Sequence, residues 1–305
     1  MAAPPTRIFD RGLIRRRQAR ALAQSEGVQG DQGADFLLRY AIDDICERRG
    51  AVKRDFTSII DLGTPSPALA ERLSAAAGAG FVARVAPLVR TLGGARLLSV
   101  VGDEEYVPLA TARFDLAVSA LALHYANDLP GALVQIRHAL KPDGLFLGCL
   151  LGGRSLNELR TALAAAETEI CGGVSPRVAP FADVRDLGGL LQRAGFALPV
   201  ADSEPLSVRY ADMFGLMADL RAMGASNALE ARRRAPPPRA LFARAAQIYA
   251  ERFADPDGRV RATFELIFIS GWAPHESQQK PLAPGSAKMR LADALRTRPD
   301  NPDEA

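Results

Sequence analysis

Two periods of apolar spacing run through the chain. Phe36, Leu37, Tyr40, Ala41 and Ile45 recur at nearly helical spacing behind Asp35, which stands where an N-cap would, and predict an amphipathic helix. Residues 57–62 (TSIIDL) form instead a short apolar run ending at Gly63, and residues 68–77 (ALAERLSAAA) predict a helix closed by Gly78. Runs of strand length recur at 81–85, 96–101, 114–121 and 144–151, with helical or loop segments between them. The alternation predicts a parallel sheet with helices on both faces.

The second half continues the pattern. Residues 127–140 (NDLPGALVQIRHAL) open on capping residues, carry Pro130 in the first turn and stop before the turn sequence KPDG, so they read as a crossover helix. Glu158 three residues after Ser155 is a capping-box spacing and predicts a helix over 155–170. Another helix is predicted over 183–194, stopped by Gly195, then a strand near 196–201. Helical patterns at 213–223 and 240–253, split by the charged, proline-rich 232–238, read as an insertion near 211–255 before a last strand at 263–270 (TFELIFIS). A polar break at 24–33 and a Pro-, Gly- and Gln-rich tail past Trp272 complete the division into an N-terminal helical segment (1–50), a domain (51–272) and an extension (273–305).

Composition narrows the class. With 305 residues, 48% hydrophobic and 24% charged, the chain can bury a real core. The longest apolar stretches, such as 144–152 (GLFLGCLLG), fall short of the roughly 18 residues of a membrane-spanning helix, so no transmembrane segment is expected. The Arg-rich first twenty residues suggest a transit peptide, but they contain Asp10 and lack the apolar block of a secretory signal. Cys46, Cys149 and Cys171 are odd in number and widely spaced, which implies a reducing compartment: the cytoplasm, or the mitochondrial matrix in a eukaryote. A net charge of +3 argues against a dedicated nucleic-acid partner. Arg7, Arg11, Arg15, Arg16, Arg17 and Arg20 nevertheless cluster, and Arg16 and Arg20 lie one helical turn apart with Arg17 beside them. This is either a solvated face or a dock for acidic protein or lipid headgroups, hence a peripheral membrane contact.

In doubly wound sheets ligands bind at the carboxyl ends of the strands, which makes the loop after the first strand decisive. Asp61-Leu62-Gly63-Thr64-Pro65-Ser66-Pro67 stands there and resembles the DxGxGxG turn of class I S-adenosylmethionine-dependent methyltransferases. FDLAVSALALHY (114–125) is similar to that superfamily's fourth strand and following loop, and LKPDG (140–144) to its approach to the fifth. A narrower resemblance covers almost the whole chain. IFDRGLIRRRQARA, LHYANDLPGAL, GLFLGCLLGGRSLNELR, AAETEICGGVSPRVAPFADVRDLGGLLQRAGF, SGWAPHESQQKP and PGSA resemble the methyltransferase-like assembly factors of respiratory complex I, whose mitochondrial member hydroxylates an arginine on an iron-sulfur subunit.

The resemblance implies an α/β Rossmann-like fold with a seven-stranded, mostly parallel sheet and a helical insertion. It also implies S-adenosyl-L-methionine as cofactor and a protein substrate in complex I. It places Asp61, Gly63, Thr64, Arg84, Asp103 and Ser119 at the cofactor, with His124 and Tyr125 facing the cleft as candidates to meet substrate or move a proton. The chain departs from the pattern where Pro65 and Pro67 replace glycines, removing two N–H donors. It departs again where Arg84 stands in place of the acid that accepts ribose hydroxyls, since a guanidinium only donates.

Simpler roles remain open at each position. Asp61 either orients the cofactor or caps neighbouring amides, whereas Asp115 and His138 read as structural. Arg154, Glu158 and Arg160 either engage a protein or form a solvated face, and His275, Glu276, Ser277 and Gln278 form either a lid or partner contact or a hydrogen-bonded tail clamp. With no HxD or HxxE spacing, no protein-bound metal is expected. Three functions follow: a protein-directed enzyme performing methyl transfer or arginine hydroxylation, a non-catalytic assembly scaffold that has lost the cofactor, or a carrier-protein or small-molecule O-methyltransferase. The oligomeric state is not legible.

Overall fold

Apolar runs at β1 (Ser58–Leu62), β2 (Phe81–Ala86), β3 (Leu98–Val101), β4 (Phe114–Ala120), β5 (Leu140–Leu151), β6 (Ala197–Tyr210) and β7 (Val260–Trp272) pair into one seven-stranded sheet. The computed structural model describes residues 7–25, 35–76, 78, 80–92 and 97–279. Strand order is β3-β2-β1-β4-β5-β7-β6, and β7 runs antiparallel to both of its neighbours. Every residue of β1 and β4 is buried. Strands covered on both faces lose the alternation of apolar and polar positions, which is why these two read as continuous apolar runs.

Successive strand residues point to opposite faces, so Ile59 and Ile60 seed different cores. Ile59 packs with Leu116, Leu147 and Phe268 against α2 (Phe36–Ala51), through Ile42 and Ile45, and against α3 (Ala68–Ala75), through Leu69 and Leu73. Ile60 packs with Phe146 and Ile267 against α4 (Leu129–Ala139), through Leu133 and Ile136, and against α6 (Val184–Arg193), through Leu187 and Leu191. The insertion supplies α7 (Met213–Ala222) and α8 (Arg239–Phe253), which join α5 (Asn157–Cys171) and Phe264 of β7 in a separate apolar cluster. The N-terminal α1 (Arg11–Ser25) packs beside α7.

Several local expectations change. The 155–170 helix carries no capping box: Leu156 takes the N-cap place at φ 57°, and Glu158 turns to Thr263 of β7, accepting from its N at 3.1 Å and from its hydroxyl at 2.5 Å. Ser155 spends its hydroxyl on the Glu265 backbone at 3.0 and 3.2 Å. Tertiary partners thus outcompete the local cap. Asp35 makes no capping bond and pairs with Arg39 at 3.5 Å. Asp115 is structural, accepting from Thr57 N, Thr57 Oγ1 and Ser58 N within 3.0 Å. The predicted strands at 196–201 and 263–270 grow to 14 and 13 residues because they pair with each other along their length.

Between β2 and β3 the described residues contain only a single 3-10 turn, Val89–Thr91, where a parallel crossover ordinarily carries a helix. Leu98, Val100 and Val101 of the edge strand are exposed. No helix among the described residues is long and apolar enough to cross a membrane. The polar break over 26–34, the start of the 96–101 run and the tail from residue 280 lie outside the described residues. Contacts gather the chain up to Pro274 into one unit, while His275 to Gln279 belong to another, in which His275 Nδ1 meets Ser277 Oγ at 2.7 Å.

Candidate functional site

At the carboxyl end of β1 the chain turns at Gly63, whose φ of 73° suits glycine and whose N–H bonds Val85 O at 2.8 Å. A side chain here would meet Ala122 Cβ at 3.0 Å. Register sets Asp61 directly beside Arg84 of the neighbouring strand. Both are fully buried. Arg84 donates through Nη1 to Asp61 Oδ2, through Nη2 to Thr64 O, and through Nε to Thr91 O at 2.5 Å. The second Asp61 oxygen accepts from Thr64 Oγ1, which itself accepts from Ala120 N at 3.1 Å. Burial pushes the Asp61 carboxyl up, while the Arg84 guanidinium and Thr64 pull it down. Ser119 donates to Leu62 O at 2.8 Å, a loop brace.

Past the turn, Pro65 and Pro67 leave the approach to α3 without two backbone donors. Opposite them, α1 reaches over the strand ends. Arg11 Nη2 lies 2.7 Å from both Asp103 Oδ1 and Glu104 Oε1, and its Nη1 donates to Tyr125 O at 3.1 Å. Arg15 binds the other Asp103 oxygen. Burial raises the Glu104 carboxyl against the pull of Arg11, and Glu104 Oε2 finds no partner. The space left among Arg11, Arg15, Gly63, Pro87, Glu104 and Tyr125 is about 10 Å³, room for one water at most.

His124 and Tyr125 end a 3-10 turn after β4. His124 is buried, its Nδ1 finds no hydrogen-bond partner, and its ring meets the edge of Phe181 at 5.4 Å. Burial pulls its pKa down to about 3, so the ring is neutral at physiological pH. Burial likewise pushes the Tyr125 phenol up to about 12, while the ring packs on His124 at 4.2 Å and edge-on to Phe9 at 5.6 Å. On the far side of Tyr125 lies a mostly apolar cavity of about 230 Å³, walled by Phe9, Phe181 and Met217 with Arg177 and Arg221 among its lining. Arg177 is fixed by Glu167 at 2.7 Å. Two cations in the wall suit an apolar or anionic guest better than a third guanidinium.

The predicted residues thus gather in two groups: Asp61, Gly63, Thr64, Arg84 and Ser119 knit the strand ends together, while Asp103 and Tyr125 meet Arg11. Sequence reasoning missed Glu104 and the inward turn of Arg11 and Arg15; the run Asp103-Glu104-Glu105 was the available signal. Arg16 and Arg20 are exposed, as a cationic face requires, but Arg17 turns inward to Asn227 O.

Residues 62–148 match the family described as a methyltransferase domain. The human mitochondrial protein named arginine-hydroxylase NDUFAF5 is 40% identical over 290 residues, covering 94% of this chain and 83% of that protein. The chain belongs to the NDUFAF5 arginine-hydroxylase family. The Danio rerio member is 37% identical over 292 residues, covering 94% of this chain and 89% of its own. A malonyl-[acyl-carrier protein] O-methyltransferase of Methylovorus is 37% identical over 207 residues, 67% of each chain, so the NDUFAF5 likeness runs further. Among solved structures, the [4+2]-cyclase SpnF aligns with a TM-score of 0.54 at 14% identity over 90% of this chain and 99% of its own. That match supports the fold alone.

For a member of the NDUFAF5 family carrying a methyltransferase domain, the cofactor to test against these residues is S-adenosylmethionine. They do not fit it: the Asp61 carboxylate is already engaged at both oxygens by Thr64 and Arg84, Pro65 and Pro67 withhold two backbone donors, and the gap that remains beside the unpartnered Glu104 Oε2 holds one water.

Proposed function

We propose that the protein acts on a protein partner during assembly of respiratory complex I, with an arginine side chain of a complex I subunit as the group acted upon. The observation that carries this reading is the NDUFAF5 likeness over 94% of the chain, which extends through the insertion and well beyond the methyltransferase-domain match. Such a role sets the work in the cytoplasm, or in the mitochondrial matrix of a eukaryote. The exposed Arg16 and Arg20 supply a cationic face for acidic protein or lipid headgroups.

The test is to isolate complex I from cells with and without the gene and to weigh its arginine-containing peptides. A subunit arginine heavier by one oxygen atom only when the protein is present supports hydroxylation. Complex I that assembles and carries the same arginine masses in both strains would sink the reading. A second reading, an assembly scaffold without chemistry, is favoured by the charge-filled crevice. It expects stalled assembly with no change in any arginine. Methyl transfer to a carrier protein has less support, because that likeness spans two thirds of the chain.

A further inference from the structure

The strand-end crevice over β1, β2 and β3 departs from a cofactor site in four independent ways. Its loop has Pro65 and Pro67 in place of backbone donors. The Asp61 carboxylate has both oxygens engaged and no exposed surface. Asp103 is held by Arg11 and Arg15 from α1, and one oxygen of Glu104 by Arg11. The space left among these groups is about 10 Å³.

We propose that Arg84, seconded by Arg11, is a built-in cationic occupant of this crevice, and that the chain takes up no S-adenosylmethionine. The charge argument is direct. A buried carboxylate needs a compensating cation. S-adenosylmethionine brings an ammonium and a sulfonium against a single carboxylate, whereas here the compensating charge is covalently part of β2 and already makes three hydrogen bonds. A second cation entering beside Arg84 would be repelled at low dielectric and would find both Asp61 oxygens already engaged. Space gives the same answer, since about 10 Å³ remains where a small-molecule site needs some hundreds. The inference does not depend on the identity of the protein partner and holds for an enzyme or a scaffold alike.

The experiment is calorimetric titration of the full-length protein with S-adenosylmethionine and with S-adenosylhomocysteine, beside thermal melts in the same ligands. A ligand that binds the native state must raise its Tm once well above its Kd. No saturable heat and an unchanged Tm at millimolar ligand are expected; saturable binding with a rise in Tm overturns the proposal. The variant Arg84→Met tests the occupant itself. It should lose roughly 10 °C in Tm through the unpaired Asp61. An Arg84→Met protein as stable as the parent would overturn the occupant role. If that variant does not fold, the double variant Asp61→Leu, Arg84→Met, which removes both charges, should fold. A double variant that stays unfolded overturns the proposal.

Discussion

On one side of β4 the strands are short, with five residues in β1, six in β2 and four in β3. On the other they lengthen to 12, 13 and 14 in β5, β7 and β6. The short side has an exposed edge and a crevice filled by the chain's own charges; the long side carries α5, α7 and α8 and keeps an apolar cavity open. The contrast teaches that a fold can retain its strand order while the space over one half is taken by side chains. The free volume then lies over the other half, between elements that the parent sheet does not need.

The largest effect that would sharpen this contrast comes from the filled half. Asp61→Ala leaves a fully buried guanidinium unpaired and should cost about 3–5 kcal/mol, read from urea denaturation. Adding Arg84→Met to it should restore part of that loss, because it removes the unpaired buried charge. If Asp61→Ala unfolds at the same urea concentration as the parent, the crevice is not held by charge. Next, Arg11→Ala should cost about 1–3 kcal/mol by stripping Asp103 and Glu104 of a shared donor. A thermal melt indistinguishable from the parent's would mean that α1 rests on the crevice without closing it.

These two pairings also mark what the sequence conceals. Asp61 and Arg84 are each conspicuous, one in the turn motif and one in place of an acid, yet their pairing depends on the parallel register that sets them side by side. Arg11 and Asp103 are separated by 92 positions, and an Arg-rich helix reads as solvated until its tertiary neighbour is known. The strands were legible because burial on both faces writes continuous apolar runs. The helix starting near Ser155 was legible, but its cap was not, since Thr263 and Glu265 arrive from a strand more than a hundred residues away.

His124 offers a smaller test at the boundary between the halves. Burial lowers its folded pKa to about 3 from the ordinary 6.5, so between those values the unfolded chain binds a proton that the folded chain refuses. Its contribution is fully present above about pH 6.5 and is lost as pH falls toward 3, at up to ~1.4 kcal/mol per pH unit. In His124→Phe the pH dependence of stability between pH 6.5 and 5 should flatten; an unchanged slope would show that the folded ring protonates freely. The smallest effect belongs to the open half. Ala179→Leu, projecting into the cavity, should shift stability by less than about 1 kcal/mol, whereas Ala117→Leu in the closed core of β4 should cost about 1–3 kcal/mol. Equal losses would erase the distinction between the halves.

The placement of β7 has a consequence for how the molecule comes into being. β6 does not pair with β5; it reaches the sheet through β7, which follows it in the chain by the whole insertion. As a nascent chain is synthesised, the parallel strands up to β5 can assemble early, while β6 must wait, with its ladder groups unpaired, for a strand that emerges some fifty residues later. The closing step is an insertion between two edges, a long-range contact of the kind that slows folding. Chaperone dependence should therefore concentrate in that interval of synthesis.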